Sequence, residues 1–209
     1  MGTERMTRTL EFYDRNADTV AAAYERIDAA GFVTAFAATL GPGARVLEIG
    51  CGPGRDAAAL CRLGLDVRAV DGSRSMLREA ERLHPELRGR THLVILPARL
   101  PFADGLFSAV AAWAVIMHLE RDELPAVYSE IARVTAPGAR FAYSVNTERV
   151  GLDADGYEAN GRHFTCLSAT EWEALHREAG FETVGLQETD DMAGRPGIRW
   201  ATFDTVRER

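Results

Sequence analysis

At 209 residues, with 46% hydrophobic and 26% charged side chains, the chain has the balance of a single soluble globular domain, large enough to bury a core without disulfide or metal staples. Its net charge of −7 argues against an obligate nucleic-acid binder, which usually presents a basic face. Cys51, Cys61 and Cys166 are too few and too scattered for a disulfide framework or a metal site, the opening residues lack the apolar run of a signal peptide, and the longest apolar stretch, Leu106 to Met117, is too short to cross a bilayer. The expected setting is cytoplasmic, with no membrane partner, no nucleic-acid partner and no metal.

The stretch up to Leu40 reads as helical. Tyr13, Val20, Tyr24 and Ile27 fall on one face, and Phe32 to Leu40 forms a second short helix stopped by Gly41-Pro42-Gly43. The period then changes. Arg45 to Ile49 is a short apolar run that reads as a buried strand, followed by a helix from Gly54 to Leu63. Asp66 to Val70 is a second strand, and Ser73 caps a helix running to about Leu83. Thr91 to Leu96 and Phe107 to Trp113 are the third and fourth strands. A helix fits Arg121 to Val134, with Leu124, Val127, Ile131 and Val134 on one face. Arg140 to Val145 is the fifth strand. Ser168 caps a helix to about Ala179, and Glu182 to Gln187 and Ile198 to Val206 are strands joined without a helix. Strands alternating with helices mean crossover units and a mostly parallel sheet, and the final loop connection allows an antiparallel last strand.

The strongest chemical signal is Val46-Leu47-Glu48-Ile49-Gly50-Cys51-Gly52-Pro53-Gly54. Three glycines at spacing two lie between a strand and a helix. Glycine lets the backbone turn sharply and approach a ligand, and the helix start offers free N–H groups. The dinucleotide fingerprint Gly-x-Gly-x-x-Gly fails here, because Arg55 and Ala57 stand where its third glycine belongs. That disfavours a nicotinamide oxidoreductase. Asp71, at the end of the second strand, is a carboxylate able to accept from both hydroxyls of a ribose; taken alone, Asp71-Gly72 would be a turn.

With these two elements in place, the chain resembles the class I S-adenosylmethionine-dependent methyltransferases, and among them the small-molecule branch similar to the ubiquinone and menaquinone methyltransferases. The resemblance is carried by Val46 to Gly54, Asp71 to Leu77, Leu100 to Phe107, Met117-His118-Leu119 and Glu130 to Ala139, in the family's order. It implies a Rossmann-like α/β fold: a mostly parallel seven-stranded sheet with an antiparallel last strand, helices on both faces and an N-terminal helical lid. In one domain, residues 1–40 would be the lid, 41–146 the cofactor-binding half, and 147–209 the substrate loop and closing strands. The implied cofactor is S-adenosylmethionine and the implied activity is methyl transfer to oxygen, nitrogen or carbon of a small molecule, by a monomer or homodimer; the alternative is a cofactor-binding scaffold without chemistry.

The resemblance also implies roles. Glu48, Gly50, Gly52 and Gly54 would line the methionine part of the cofactor, with Cys51 a small residue facing it. Asp71, with Gly72, would hold the ribose; Met76 would lie against the adenine; Trp113 would stand near cofactor and substrate; Tyr13, in Phe12-Tyr13-Asp14, would reach the cofactor's carboxylate. Leu96 occupies a position where the family often has an acid for the adenine amino group, which leaves that contact to the backbone. Ser108 replaces a favoured Asp at the fourth strand's entry.

Transfer from a sulfonium needs alignment and exclusion of water, and a base only where the nucleophile keeps its proton. His118 follows the fourth strand on the ligand side, and an imidazole suits proton transfer near neutral pH; the plainer reading is a histidine that bonds the backbone of a helix start. Arg162 and His163, in Gly161-Arg162-His163-Phe164-Thr165, are the candidate substrate-binding residues. Arg162 would meet a carboxylate or phosphate, or pair locally with Asp153, Asp155 or Glu158. His84 and His92 read as structural or surface residues, and Glu148 to Glu158 as a solvated loop.

Overall fold

The computed structural model describes residues 2–191 and 194–209. Seven strands form one sheet: β1 (Arg45–Ile49), β2 (Asp66–Asp71), β3 (Thr91–Leu93), β4 (Phe107–Trp113), β5 (Thr135–Arg149), β6 (Phe181–Asp190) and β7 (Ile198–Arg207). Their order is β3-β2-β1-β4-β5-β7-β6. β1 to β5 pair in parallel, while β7 runs antiparallel to both β5 and β6. The helices are α1 (Gly2–Arg15), α2 (Ala17–Tyr24), α3 (Ala30–Ala38), α4 (Arg55–Arg62), α5 (Arg74–Leu83), α6 (Leu124–Val134) and α7 (Ala169–Glu178).

Alternation along the strands sends side chains to two cores. Val46, Val67, Ala69, Ala109 and Ala111 face α3, α4 and α5, and the small alanines let those helices lie close to the sheet. Leu47, Ile49, Val110, Phe141 and Tyr143 face α6 and α7, where Tyr128, Ile131 and Trp172 fill the wider gap. Fully burying one such side chain contributes roughly 1.5–3 kcal/mol. Glu48 shares the face of Val46, and its charged neighbours there include Arg55 and Asp56 at the start of α4. The strand order turns back between β1 and β4, and ligands of open α/β sheets bind beyond the carboxyl ends of the strands at such a switch point.

Local signals explain most boundaries. Ser73 Oγ accepts from Met76 N at 3.1 Å and starts α5. Ser168 and Glu171 form a capping box at the start of α7. Several boundaries differ from the sequence reading. β3 stops at Leu93: Val94 N makes the last bond, to Asp71 O at 2.9 Å, where β2 itself ends. β5 runs on to Arg149 because β7 pairs with it up to Arg149 opposite Ile198, a partner outside any local window. α6 starts at Leu124, since Pro125 fits a helix's first turn and Glu120 N is already bonded by Glu123 Oε2. The N-terminal region is three helices rather than two, broken at Asn16 and again after Tyr24.

Candidate cofactor and acceptor site

The three glycines after β1 have φ of +68° (Gly50), +52° (Gly52) and +82° (Gly54), a region costly for residues with a Cβ. Two are also crowded. A Cβ on Gly50 would lie 2.3 Å from Val115 Cγ2, and one on Gly54 would lie 2.4 Å from Leu87 Cδ1. Gly52 differs: nothing stands within 4 Å of its Cβ position, so its bare backbone borders open space. Gly52 N–H donates to Asp71 Oδ2 at 2.8 Å, and Ser73 N–H donates to Oδ1 at 2.7 Å. Asp71 is thereby fixed against the loop with one bond on each oxygen, and a carboxylate has lone pairs for about two more. Burial raises its pKa; the bonds from Ser73 and Gly52 oppose that rise.

Two buried polar atoms near this loop have no hydrogen-bond partner among the described residues. Glu48 is 2% exposed and its Oε2 is one of them. Burial raises its pKa well above the usual carboxylate range, and the neighbouring Asp56 adds to the rise. The other is Trp113 Nε1, at the end of β4. Its ring stands edge-on to Phe32 at 4.1 Å and Phe36 at 5.7 Å, both from α3. Unpaired buried polar groups cost about 1–3 kcal/mol each, and a ligand that reached these two would relieve that cost. Cys51 is buried and its thiol is pushed up by that burial, so it is an inert small side chain. Met76 is buried in the first turn of α5, and Leu96 is buried with no group to offer an adenine.

The lid helices close on this loop through named contacts. A Cβ on Gly72 would meet Leu10 Cδ2 at 2.7 Å, so α1 lies directly over the turn after Asp71. Asp14 Oδ1 accepts from Ser73 Oγ at 2.6 Å and Ser75 N at 3.0 Å, adding a second cap to α5 from the lid. Burial raises the Asp14 pKa, but those bonds outweigh it and the net shift is downward. Arg55 Nη1 donates to the Tyr24 carbonyl at 2.9 Å, while its Nε and Nη2 grip Asp56. His84 pairs with Glu25 at 3.0 Å, a structural role as the sequence suggested.

Beyond β4 the chain turns sharply. Ala114 has φ of +54°, and a short 3-10 turn over Ile116–His118 follows. His118 Nδ1 lies 2.7 Å from the carbonyl of His163, which can only accept, so Nδ1 carries the proton. The Nε2 lone pair then receives the Tyr13 hydroxyl at 3.1 Å. Burial lowers the His118 pKa to about 4, against the support of the His163 carbonyl, so the ring is neutral at pH 7. The sequence expected Tyr13 at the cofactor's carboxylate; the structure bonds its hydroxyl to His118. His163 is buried, its Nδ1 donates to the His118 carbonyl at 3.2 Å and its N–H donates to Thr9 Oγ1 at 3.0 Å. His163 thus ties loop, turn and lid together.

Arg162 forms the local ion pair weighed from the sequence: its Nη2 lies 2.6 Å from Glu158 Oε2. Arg149, missed by sequence reading because it lay past the expected end of β5, pairs with the same carboxylate. The Glu148–Glu158 segment is therefore no freely solvated loop: Tyr157 is 4% exposed and Glu158 is clamped between two arginines. Thr9 was likewise missed, and Asp14 and Phe164 stood inside Phe12-Tyr13-Asp14 and Gly161-Arg162-His163-Phe164-Thr165 without a role of their own. Among the described residues no group of three or more His, Cys, Asp or Glu side chains stands where it could hold a metal, and no described helix is long and apolar enough to cross a membrane.

The sheet order with its antiparallel β7, the glycine loop locked to Asp71 and the lid over both form the Rossmann-like fold of class I methyltransferase domains. Residues 46–138 match the methyltransferase domain family. The chain is 37% identical over 131 residues to a demethylmenaquinone methyltransferase of Beutenbergia cavernae, an alignment covering 62% of this chain and 51% of that protein. It is 31% identical over 186 residues to the methyltransferase GfsG of Streptomyces halstedii, covering 83% and 62%. The chain therefore spans about half to three-fifths of these relatives' length. Among solved structures, 1,6-didemethyltoxoflavin-N1-methyltransferase of Burkholderia thailandensis, with bound 1,6-didemethyltoxoflavin and S-adenosylhomocysteine, superposes with a TM-score of 0.79 at 21% identity, over 100% of this chain and 91% of that one. The [4+2]-cyclase SpnF shares the fold at a TM-score of 0.68 and 19% identity, over 88% and 85%. Over these stretches the chain is similar to S-adenosylmethionine-dependent methyltransferases.

Proposed function

We propose that the chain binds S-adenosylmethionine and transfers its methyl group to a small-molecule acceptor in the cytoplasm, as a monomer or homodimer. When bound, the cofactor supplies a methyl group already activated on a sulfonium. The observation that carries the reading is Asp71, fixed by the Gly52 and Ser73 N–H groups beside the open space at Gly52. The residues present fit such a ligand. Asp71 has capacity for two ribose hydroxyls. Glu48 Oε2 and Trp113 Nε1 are an acceptor and a donor still to be matched. The relatives named methyltransferases support the same conclusion.

The chain's own residues then have defined tasks. The α1 lid, seated by Asp14 on α5 and by Leu10 on Gly72, excludes water from the reacting centre. His118, neutral with its free lone pair on the Tyr13 hydroxyl, can take a proton from that hydroxyl as Tyr13 takes one from an acceptor. The pair is a proton path from the acceptor into the protein, useful only where the nucleophile carries a proton. SpnF shows that this fold also accommodates cyclisation, so turnover has to be measured as well as binding. Calorimetry with S-adenosylhomocysteine and with NAD tests the cofactor half. The reading expects saturable binding of the first and none of the second; heat with NAD alone would overturn it.

A further inference from the structure

We propose that the acceptor carries a carboxylate, held by Arg149 and Arg162 beside the Tyr13–His118 pair. The inference rests on the methyltransferase reading for the acceptor's existence, but its observations are separate. Two arginines share one carboxylate: Glu158 Oε1 bonds Arg149 and Glu158 Oε2 bonds Arg162. Guanidinium groups do not lose their charge in proteins, and these side chains are only 2% and 16% exposed. Buried charge without a counter-charge is costly. The next cation, Arg195, has its own partner in Asp191 at 2.6 Å. Tyr13 and His118 are neutral at pH 7 and supply no negative charge.

The arginine pair that shares Glu158 sits where an acceptor belongs. Arg149 ends β5 at the carboxyl edge of the sheet, and Arg162 precedes the His163 carbonyl that holds His118. One ring joins all three: Phe164 has the Arg149 guanidinium 3.8 Å from its centroid, Arg162 at 5.3 Å and the His118 ring at 4.6 Å. Phe12 of the lid adds a second flat wall, 5.0 Å from Arg162. Glu158 takes Nε and Nη2 of Arg162, the Tyr13 side chain stands against the same guanidinium, and Arg149 Nη1 donates to Asn146 Oδ1 at 3.2 Å, so an incoming carboxylate would displace Glu158 or Tyr13 from the arginines. A carboxylate matches the edge of a guanidinium with two parallel bonds, a geometry that lysine does not offer, and the Phe164 and Phe12 rings would give a planar acid flat neighbours. There is also a chemical consequence. Both arginines help to lower the His118 pKa. A carboxylate between them would oppose that influence and make His118 a better proton acceptor once the substrate is in place.

The plainer alternative is a staple that fastens the 150–164 segment to β5. Calorimetric titration of benzoate, benzamide and phenyl phosphate into the full chain saturated with S-adenosylhomocysteine separates the two. We expect benzoate to bind at least roughly tenfold tighter than benzamide. Arg162→Gln should erase that preference while S-adenosylhomocysteine affinity is kept; Arg162→Lys, which keeps the charge and loses the fork, should retain part of it and decides the matter if Arg162→Gln does not fold. Glu158→Gln should strengthen benzoate binding, because the competing carboxylate is gone. A staple predicts the reverse for Glu158→Gln and no benzoate preference in the unsubstituted protein. Equal binding of benzoate and benzamide, survival of the preference in Arg162→Gln, or phenyl phosphate binding tighter than benzoate would overturn the proposal. Absence of S-adenosylhomocysteine binding would instead strike the methyltransferase reading, and the benzoate preference would still be readable in the protein alone.

Discussion

Replacing Asp71 by alanine separates cofactor binding from folding. In the structure the carboxylate accepts Gly52 N–H at 2.8 Å and Ser73 N–H at 2.7 Å, with capacity left for the ribose hydroxyls. Hydrogen bonds to a charged acceptor contribute about 1.5–3 kcal/mol each, so losing two costs roughly 3–6 kcal/mol of binding, a factor on the order of 10² to 10⁴ in Kd. Stability should fall by no more than about 1–3 kcal/mol: burial raises the Asp71 pKa, so removing the carboxyl relieves that cost, while the N–H of fully buried Ser73 loses its acceptor. Calorimetry with S-adenosylhomocysteine, beside a thermal melt, reads both effects. A Kd within about threefold of the unsubstituted protein would refute the placement of the ribose on Asp71. A collapse of the melting temperature with no folded protein left would show that the acid is there for the loop.

The glycines should part in the same pair of assays: Gly54→Ala, whose Cβ would meet Leu87 Cδ1 at 2.4 Å, should cost about 2–4 kcal/mol of stability from crowding plus left-handed strain, whereas Gly52→Ala should cost about 1–2 kcal/mol and mainly abolish cofactor binding. Tyr13→Phe and His118→Ala should leave S-adenosylhomocysteine affinity intact and lower kcat by roughly 10²-fold or more on an acceptor that must lose a proton; weakened cofactor binding in Tyr13→Phe would restore the contact expected from the sequence. Asp14→Ala should loosen the lid, seen as faster amide exchange in α1 with the sheet unaffected. Acid should destabilise the protein through two histidines: burial holds both His118 and His176 at about 4, against 6.5 when unfolded. The unfolded chain therefore binds protons first, so stability is lost as pH falls from about 6.5 to 4, by up to about 3 kcal/mol per histidine, and urea melts of His176→Gln should show a shallower loss.

The cofactor half was legible because its determinants are local. A glycine loop after an apolar strand, an acid closing the next strand and a capping serine each act within a few residues, and β1, β2, β4, α5 and α7 fall close to where their residues place them. The acceptor side was not, because it is assembled across distance. Arg149 joins the site only because β7 extends β5 to Arg149 opposite Ile198. Tyr13 turns to His118 across the fold because α1 seats on α5 through Asp14, a contact no periodicity encodes. The segment before Arg162 looked solvated because its acids were counted without the arginine that the sheet brings to Glu158. Leu96 departs from the family's acid by its type alone, and the structure buries its side chain.

Transfer of labelled methyl from S-adenosylmethionine, with the purified chain and a filtered extract of small metabolites, tests the central claim most directly. The account predicts label in a product that passes the filter, with S-adenosylhomocysteine formed in equal amount, and loss of both in Asp71→Ala. Tight S-adenosylhomocysteine binding with no label transferred from any extract would contradict it and leave a cofactor-binding protein without methyltransferase chemistry.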